Sequence, residues 1–490
     1  MKKTLLFFAI AISSLGVFAQ DEASLVMETV DRATIEGHIY FLADDLLKGR
    51  QTGTPENKIA ASYLANQLRG YGVMPDPATG SYYQAVPMEK RFPPESMELS
   101  VNGQKMENAV AMQQGSLTYS GDMIYMGYGL EADYEGVDVK GKVVIVQAGS
   151  ADANTAQQAF GLMGDKIGLA TTNGAVGVVE LLDAGDQIWN FIDHQFNEPS
   201  VGLAGGEEEA DGIPFIWVQD KGNQMAAQLS EKKTHSGNFN ITKKAGENFD
   251  SYNVVGWIEG SDPQLKDEFI IYSGHYDHVG IGTPDATGDN IYNGARDNAV
   301  GVTTVLSMAE NLAKYPTKRS ALFILFTAEE KGLLGSRHYV ENPILPLKQM
   351  VYCFNSDNAG YNDTSLATII GLPRTTAAEH IKNACKEFGL TAVDDPAPEQ
   401  GLFDRSDNVN FAKKGIPAPT FSLGFTAFNG DVTKYYHRPG DEADNIDFDY
   451  MERFFKAYVM AGRLIGNDPV TPVWTAGDKY EPASKELYGN

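Results

Sequence analysis

Cysteine is nearly absent. Cys353 and Cys385 are the only two in 490 residues, which excludes a disulfide-stapled scaffold and a Cys-rich zinc motif. Export would permit a bridge between them, but sequence does not set their separation. Cys353 lies in an apolar run, where a thiol behaves as a small buried hydrophobe. Basic charge is scarce as well. Sixty-five acidic residues stand against 39 basic ones, a net charge of −26. Such a chain is a poor partner for nucleic acid and for anionic membrane surfaces. The acidic excess reads as solubility. Long apolar runs are also missing. Beyond the N-terminus no stretch approaches the roughly 20 apolar residues that a membrane span needs. There is no internal repeat and no low-complexity tract.

The N-terminus reads as an export signal. Lys2 and Lys3 form a short positive region, residues 5–17 are mostly apolar, and Val17-Phe18-Ala19 offers a small-residue cleavage site. The apolar stretch is too short for an anchor and contains Ser13 and Ser14. No Cys follows it to carry a lipid. The expectation is a protein exported to the periplasm or the extracellular space, with no integral membrane segment after residues 1–19 are removed.

The rest of the chain changes texture twice. Residues 20–86 look helical around a breaker-rich loop, 48–55, with amphipathic helices over 35–42 and 59–68. Residues 87–245 alternate short apolar runs with glycine-rich turns and read as an inserted, mainly β domain with a few helices. Residues 246–466 read as α/β. Apolar strands are expected at 269–272, 321–326, 350–354 and 417–423, as in a buried parallel sheet, with helices at 302–312 and 448–465. Residues 467–490 are polar, a tail that wraps the surface or frays.

Five short segments of the α/β part carry the chemistry: Gly274-His275-Tyr276-Asp277-His278, the run around Asp297-Asn298, Thr327-Ala328-Glu329-Glu330, Asn355-Ser356-Asp357 and Tyr436-His437. Each alone has an ordinary reading. Asp297-Asn298 suits a helix N-cap, Glu329-Glu330 a solvated pair, and His437 a loop histidine. Together they form the inventory of a two-metal hydrolytic site. Four of these residues, His275, Glu329, Glu330 and Asp357, follow expected strands, and an open α/β sheet gathers such residues on one rim. Catalytic zinc prefers imidazole and carboxylate donors and keeps a place for water. Two metals need a shared carboxylate and can share one hydroxide. Asp297 is the expected bridge, with His275 and Asp357 completing one metal position and Glu330 and His437 the other. Glu329 is left free as general base. Asp277 is placed to accept from the other nitrogen of His275 and fix its tautomer; Asp441 is a weaker candidate for the same service to His437. His278 and His338 are read as a local or rim residue and a surface helix residue.

These segments, with 326–336 and 293–301 around them, resemble the co-catalytic di-zinc aminopeptidases, the group that includes bacterial leucine aminopeptidase and glutamate carboxypeptidase-like enzymes. The resemblance runs through most of residues 252–465 and extends to the lead-in at 41–83. The stretches 127–129 and 138–144 resemble a protease-associated domain. The resemblance implies helices sandwiching a mixed, mostly parallel sheet, two zinc ions per chain (with cobalt or manganese also accepted by oxygen-rich donors) and peptide substrates. It implies that 20–86 and 246–466 form one peptidase domain and that Ser406-Asp407 lies near the cleft. Two positions depart from the pattern. Asn358 stands where an apolar residue is usual, and Val300 where a small Ser is common; either could reshape the pocket wall. The leading expectation is an exported exopeptidase that removes N-terminal residues. The alternatives are a carboxypeptidase or dipeptidase on the same site, with Arg296 or Arg405 aimed at a substrate carboxylate, a glutaminyl cyclase, and a non-catalytic receptor-like protein. The full donor set argues against the last two. Side-chain preference and oligomeric state are not readable.

Overall fold

The computed structural model describes residues 22–153, 155–205, 212–230 and 233–489. Residues 1–19, where the sequence leads one to expect an export signal, lie outside the described residues. The chain divides into two compact units, Val86–Ser251 and the remainder.

The larger unit is built on strands β1 (Glu247–Ile258), β2 (Phe269–His275), β3 (Ser320–Phe326), β4 (Met350–Ser356), β5 (Leu366–Ile370), β6 (Thr391–Val393) and β7 (Thr420–Leu423). Their spatial order is β6-β5-β7-β4-β2-β3-β1. β2 runs parallel to both β3 and β4, and β4 is parallel to β7, whereas β1 pairs antiparallel with β3 and β5 antiparallel with β7. The central strands β2, β3 and β4 are buried along their whole length, which is why they read as unbroken apolar runs rather than as alternation. Alternation survives in what each residue touches. Ile270 and Tyr272 join one core with Phe323, Leu325, Tyr352 and Phe354. Phe269 and Ile271 join the opposite core with Leu322, Ile324 and Cys353.

The first core is covered by α1 (Arg32–Leu42), α2 (Pro55–Tyr71), α3 (Gly301–Lys314) and α4 (Phe448–Asn467). Their starts are chemically marked. Asp31, Thr54 and Asp447 each accept a backbone N–H three residues on, from Thr34, Asn57 and Tyr450. Tyr458 of α4 stacks on Phe354 at 4.6 Å between ring centroids and donates its hydroxyl to the Phe354 carbonyl. The C-terminal residues dock rather than fray. Trp474 is buried and donates to the Gly415 carbonyl, Arg374 pairs with Asp478, and Tyr488 donates to the Met350 carbonyl. These single anchors have no helical or strand period, so a periodicity reading passes over them.

Both cysteines are free and buried, and burial pushes each thiol up to about 12. A thiol reagent at mildly alkaline pH is therefore expected to leave the folded chain unlabelled and to label both cysteines in denaturant. Rapid labelling of either in the folded protein would contradict the packing.

Within Val86–Ser251 the strands Leu117–Tyr125, Val143–Gln147, Gly177–Leu182 and Phe215–Gln219 lie side by side in parallel. The helices Ala156–Thr172 and Asp186–Phe196 fall between successive members of that series. The centre of this unit is a parallel α/β arrangement with antiparallel strands flanking it, within a unit that is strand-rich with a few helices. A short apolar run such as 143–146 looks the same in a sandwich core and in a parallel sheet. Lys166 and Glu180 form a buried ion pair there, and the Trp217 indole donates to the same carboxylate.

Candidate metal centre

His275 is the last residue of β2 and Asp357 the first after β4. Glu329 and Glu330 follow β3 on a tight turn whose Ala328 sits at φ 56°. Because β2 is parallel to β3 and β4, these carboxyl ends share one rim. That turn sends the two glutamates to different partners. Glu329 Oε2 lies 3.9 Å from His275 Nε2, whereas Glu330 Oε2 lies 3.2 Å from His437 Nε2.

Asp297 stands in an irregular turn ahead of α3, and each of its oxygens faces a different histidine. Oδ1 is 3.3 Å from His275 Nε2 and Oδ2 is 3.2 Å from His437 Nε2. His275 Nε2 is also 3.2 Å from Asp357 Oδ1. The donor atoms thus fall into two groups, His275 with Glu329 and Asp357, and Asp297 with Glu330, His437 and His278. Within each group all donor atoms lie within 4.8 Å of one another. Buried polar atoms normally have hydrogen-bond partners. Among the described residues, Glu330 Oε1, His437 Nε2 and both nitrogens of His278 have none. Carboxylate and imidazole donors converging with unfilled valences fit zinc.

The turn is held by Asp441. Its carboxylate accepts from the backbone N–H groups of Arg296 and Asp297 and from Arg296 Nη1 at 2.9 Å. The sequence reading gave Asp441 to His437; it serves the Asp297 turn instead. Asp277 also departs from its expected contact. His275 Nδ1 is 3.1 Å from the backbone carbonyl of Asp277 and 3.8 Å from its carboxylate. That carboxylate accepts from Thr52 Oγ1 and from the Glu329 backbone N–H, so it positions the turn carrying the two glutamates. Asn298 Oδ1 caps α3 by accepting from Gly301 N, and it also accepts from Asn358 Nδ2. Asn358 in turn accepts from Leu423 N. Its amide ties the Asp297 turn to β7, which accounts for a polar residue at an apolar position. Val300 is buried in the helix-covered core and does not line the cleft.

Electrostatics follow from burial and charge. Burial alone would lower the His275 and His437 imidazoles, but the surrounding carboxylates outweigh it. His275 is raised well above its usual value, and His437 to about 10. Burial and the neighbouring Asp297 charge pull Glu330 upward, but the His278 and His437 rings beside it outweigh both and hold it near 2; Asp297 is likewise held well below the carboxylate range. Glu329 goes the other way. Burial, with Asp357 and Glu330 nearby, raises it well above the usual value.

Arg50 was passed over as part of a breaker-rich loop. Its guanidinium is fully buried and donates to the carbonyls of Leu42, Tyr276, Asn293 and Gly294. Burial pushes it down to about 10, still charged at neutral pH, facing Asp297 and Asp277. No local sequence signal marks it, since its partners are backbone carbonyls, three of them far along the chain. His278, read as a local or rim residue, is fully buried against Glu330.

Beside the donors opens a cleft. Ile370, Leu402, Phe425, Phe428 and Tyr436 form its apolar wall, and Arg405, Ser406 and Asn358 add polar atoms. Asp407 is buried next to Ser406, its carboxyl pushed up to about 7 by burial. Arg296 does not reach the cleft; its guanidinium is used on Asp441 and the Asn445 carbonyl.

Residues 253–461 match the model of Peptidase family M28. An aminopeptidase of Bacillus subtilis (strain 168) is 28% identical over 249 residues, 49% of this chain and 49% of that protein. A probable leucine aminopeptidase 2 of Aspergillus oryzae (strain ATCC 42149 / RIB 40) is 28% identical over 372 residues, 69% of this chain and 65% of that one. The matches therefore span half to just under two thirds of these relatives' length. Among solved structures, an aminopeptidase from Aneurinibacillus sp. strain AM-1 superposes with a TM-score of 0.60 at 22% identity, covering 93% of this chain and 98% of that one. It has the same fold.

Proposed function

Since residues 253–461 match peptidase family M28, we propose that the chain is a metallopeptidase of that family, an exported, zinc-dependent aminopeptidase that releases N-terminal residues from peptides. The observation that carries this reading is Asp297, whose two oxygens face two separate donor groups at 3.3 and 3.2 Å. His275, Asp357 and Asp297 would hold one zinc ion, and Glu330, His437 and Asp297 the second. Bound zinc polarises the scissile carbonyl and makes a water acidic enough to attack it near neutral pH. Glu329 takes the proton from that water and delivers it to the leaving amine. The Asp277 carbonyl holds the His275 ring, and the Asp277 carboxylate holds the backbone of Glu329. The apolar wall seats the side chain next to the scissile bond. We read Val86–Ser251 as an insert of the protease-associated type, and residues 1–19 as the export signal.

Aminoacyl-anilides and their N-blocked equivalents test the reading, with zinc measured in parallel. Turnover on free-amine substrates alone, at about two zinc ions per chain, is expected. A second reading, carboxypeptidase or dipeptidase, is favoured by one observation: Arg405 lines the cleft. Turnover of N-blocked peptides with a free carboxylate would select it.

Zinc must displace protons from this site. The His437 value of about 10 means that the metal-free imidazole is protonated at neutral pH. Zinc binding should release at least one proton per chain, read by calorimetry in buffers of differing ionisation enthalpy. The same pairing stabilises the metal-free fold. A raised pKa contributes fully below the unfolded value of 6.5 and is lost as pH climbs to about 10. The melting temperature of the chelated protein should therefore fall across that window, and zinc saturation should flatten the dependence. Zinc uptake without proton release would contradict the paired imidazolium.

A further inference from the structure

His278 is not needed by the di-zinc reading, yet it is fully buried, and neither of its ring nitrogens is hydrogen-bonded. Two unpaired polar atoms in a buried ring are costly unless something else engages them. The surroundings indicate what does. His278 Nδ1 is 2.8 Å from Glu330 Oε1 and 3.8 Å from Asp297 Oδ2. Its ring stands edge-on to His437, with centroids 5.3 Å apart and planes at 79°. Glu330 Oε1 and His437 Nε2 lack hydrogen-bond partners too, and all four side chains offer donor atoms within 4.8 Å of one another. The ring fits there because residue 294 is glycine. A Cβ at that position would fall 2.6 Å from His278 Cδ2 and Cγ.

We propose that His278 Nδ1 is a zinc donor, so that the metal position made by Asp297, Glu330 and His437 carries two imidazoles while the other carries only His275. This rests on the di-zinc reading above. It makes the two positions chemically unequal. Neutral imidazole is a strong zinc donor, and the position with two of them and two carboxylates has the fuller donor set. It should bind zinc more tightly and empty last under a chelator.

The test has two arms. X-ray absorption on the wild-type protein loaded with zinc alone counts imidazoles directly. Three imidazoles shared by two zinc ions are expected, and two would overturn the proposal without touching the di-zinc reading. Calorimetric titration of the metal-free protein with zinc chloride should show two steps. His278→Ala should weaken the tighter step at least tenfold and leave the looser one unchanged. Two unaltered steps in a variant with wild-type circular dichroism would also overturn it. A wild-type protein that takes up no zinc would instead sink the di-zinc reading itself.

Discussion

Glu329→Gln is expected to lower kcat by about a hundred- to ten-thousand-fold, the span that a positioned general base contributes, while zinc content and KM stay close to wild type. The substitution is nearly isosteric and removes only the ability to accept a proton. Glu329 is suited to that duty by its turn. Ala328, in the left-handed region, turns the chain just ahead of two consecutive glutamates, of which Glu330 faces His437 and Glu329 faces His275. Its backbone is anchored on the Asp277 carboxylate, so the variant should keep its geometry. The loss should be similar for good and poor substrates, because it falls on the proton transfer and not on side-chain recognition. A variant retaining a third or more of wild-type kcat with full zinc would remove Glu329 from the reaction.

Arg50→Met should cost about 3–5 kcal/mol of folding stability in the zinc-loaded protein, the range seen when one partner of a buried charged constellation is deleted. Methionine keeps an unbranched stem in the slot and isolates the loss of the guanidinium. Three backbone carbonyls, from Leu42, Tyr276 and Asn293, then lose their donor inside the protein, and the Gly294 carbonyl keeps only the Ala299 N–H. Each orphaned acceptor costs about 1–3 kcal/mol, with partial relaxation keeping the sum below simple addition. The positive charge facing Asp297, Asp277, Asp441 and Glu330 also disappears, so the carboxylates crowd one another more. Lysine should rescue little, since a point charge cannot serve several carbonyls at once. Denaturant unfolding measures this directly. A change below about 1 kcal/mol would mean that water or a rearranged loop replaces the guanidinium.

Much of the larger unit was legible because its sheet is buried on both faces. Runs such as 321–326 and 350–354 announce themselves, and the residues after them, Glu329, Glu330 and Asp357, inherit a common rim. Helix ends came within a few residues of the observed ones. The misses share a different cause. Arg50, Asp441 and Asn358 act on backbone atoms distant in sequence, so neither spacing nor residue type reveals them. Asp277 was chosen for its carboxylate, whereas the ring nitrogen of His275 sits on its carbonyl, and every residue has a carbonyl. His278 reads from sequence as a local or rim residue, because only the fold, through the β2 end and the Gly294 turn, brings its ring beside Glu330. In the 86–251 unit, composition did not separate a parallel core from a sandwich, because both bury short apolar strands completely.

The two unpaired thiols acquire a meaning when set beside the chain positions of the donors. A chain whose two cysteines are both free has no disulfide to restrain its long connections. Glu330 and His437 belong to segments far apart in sequence, and His275 and Asp357 enclose another long stretch. Zinc shared through Asp297 would close both stretches at once, removing loop entropy from the unfolded ensemble in the way a cross-link does. The catalytic ions would then be the molecule's staples as well, and a chelator would act on this protein as a reductant acts on a disulfide-bonded one.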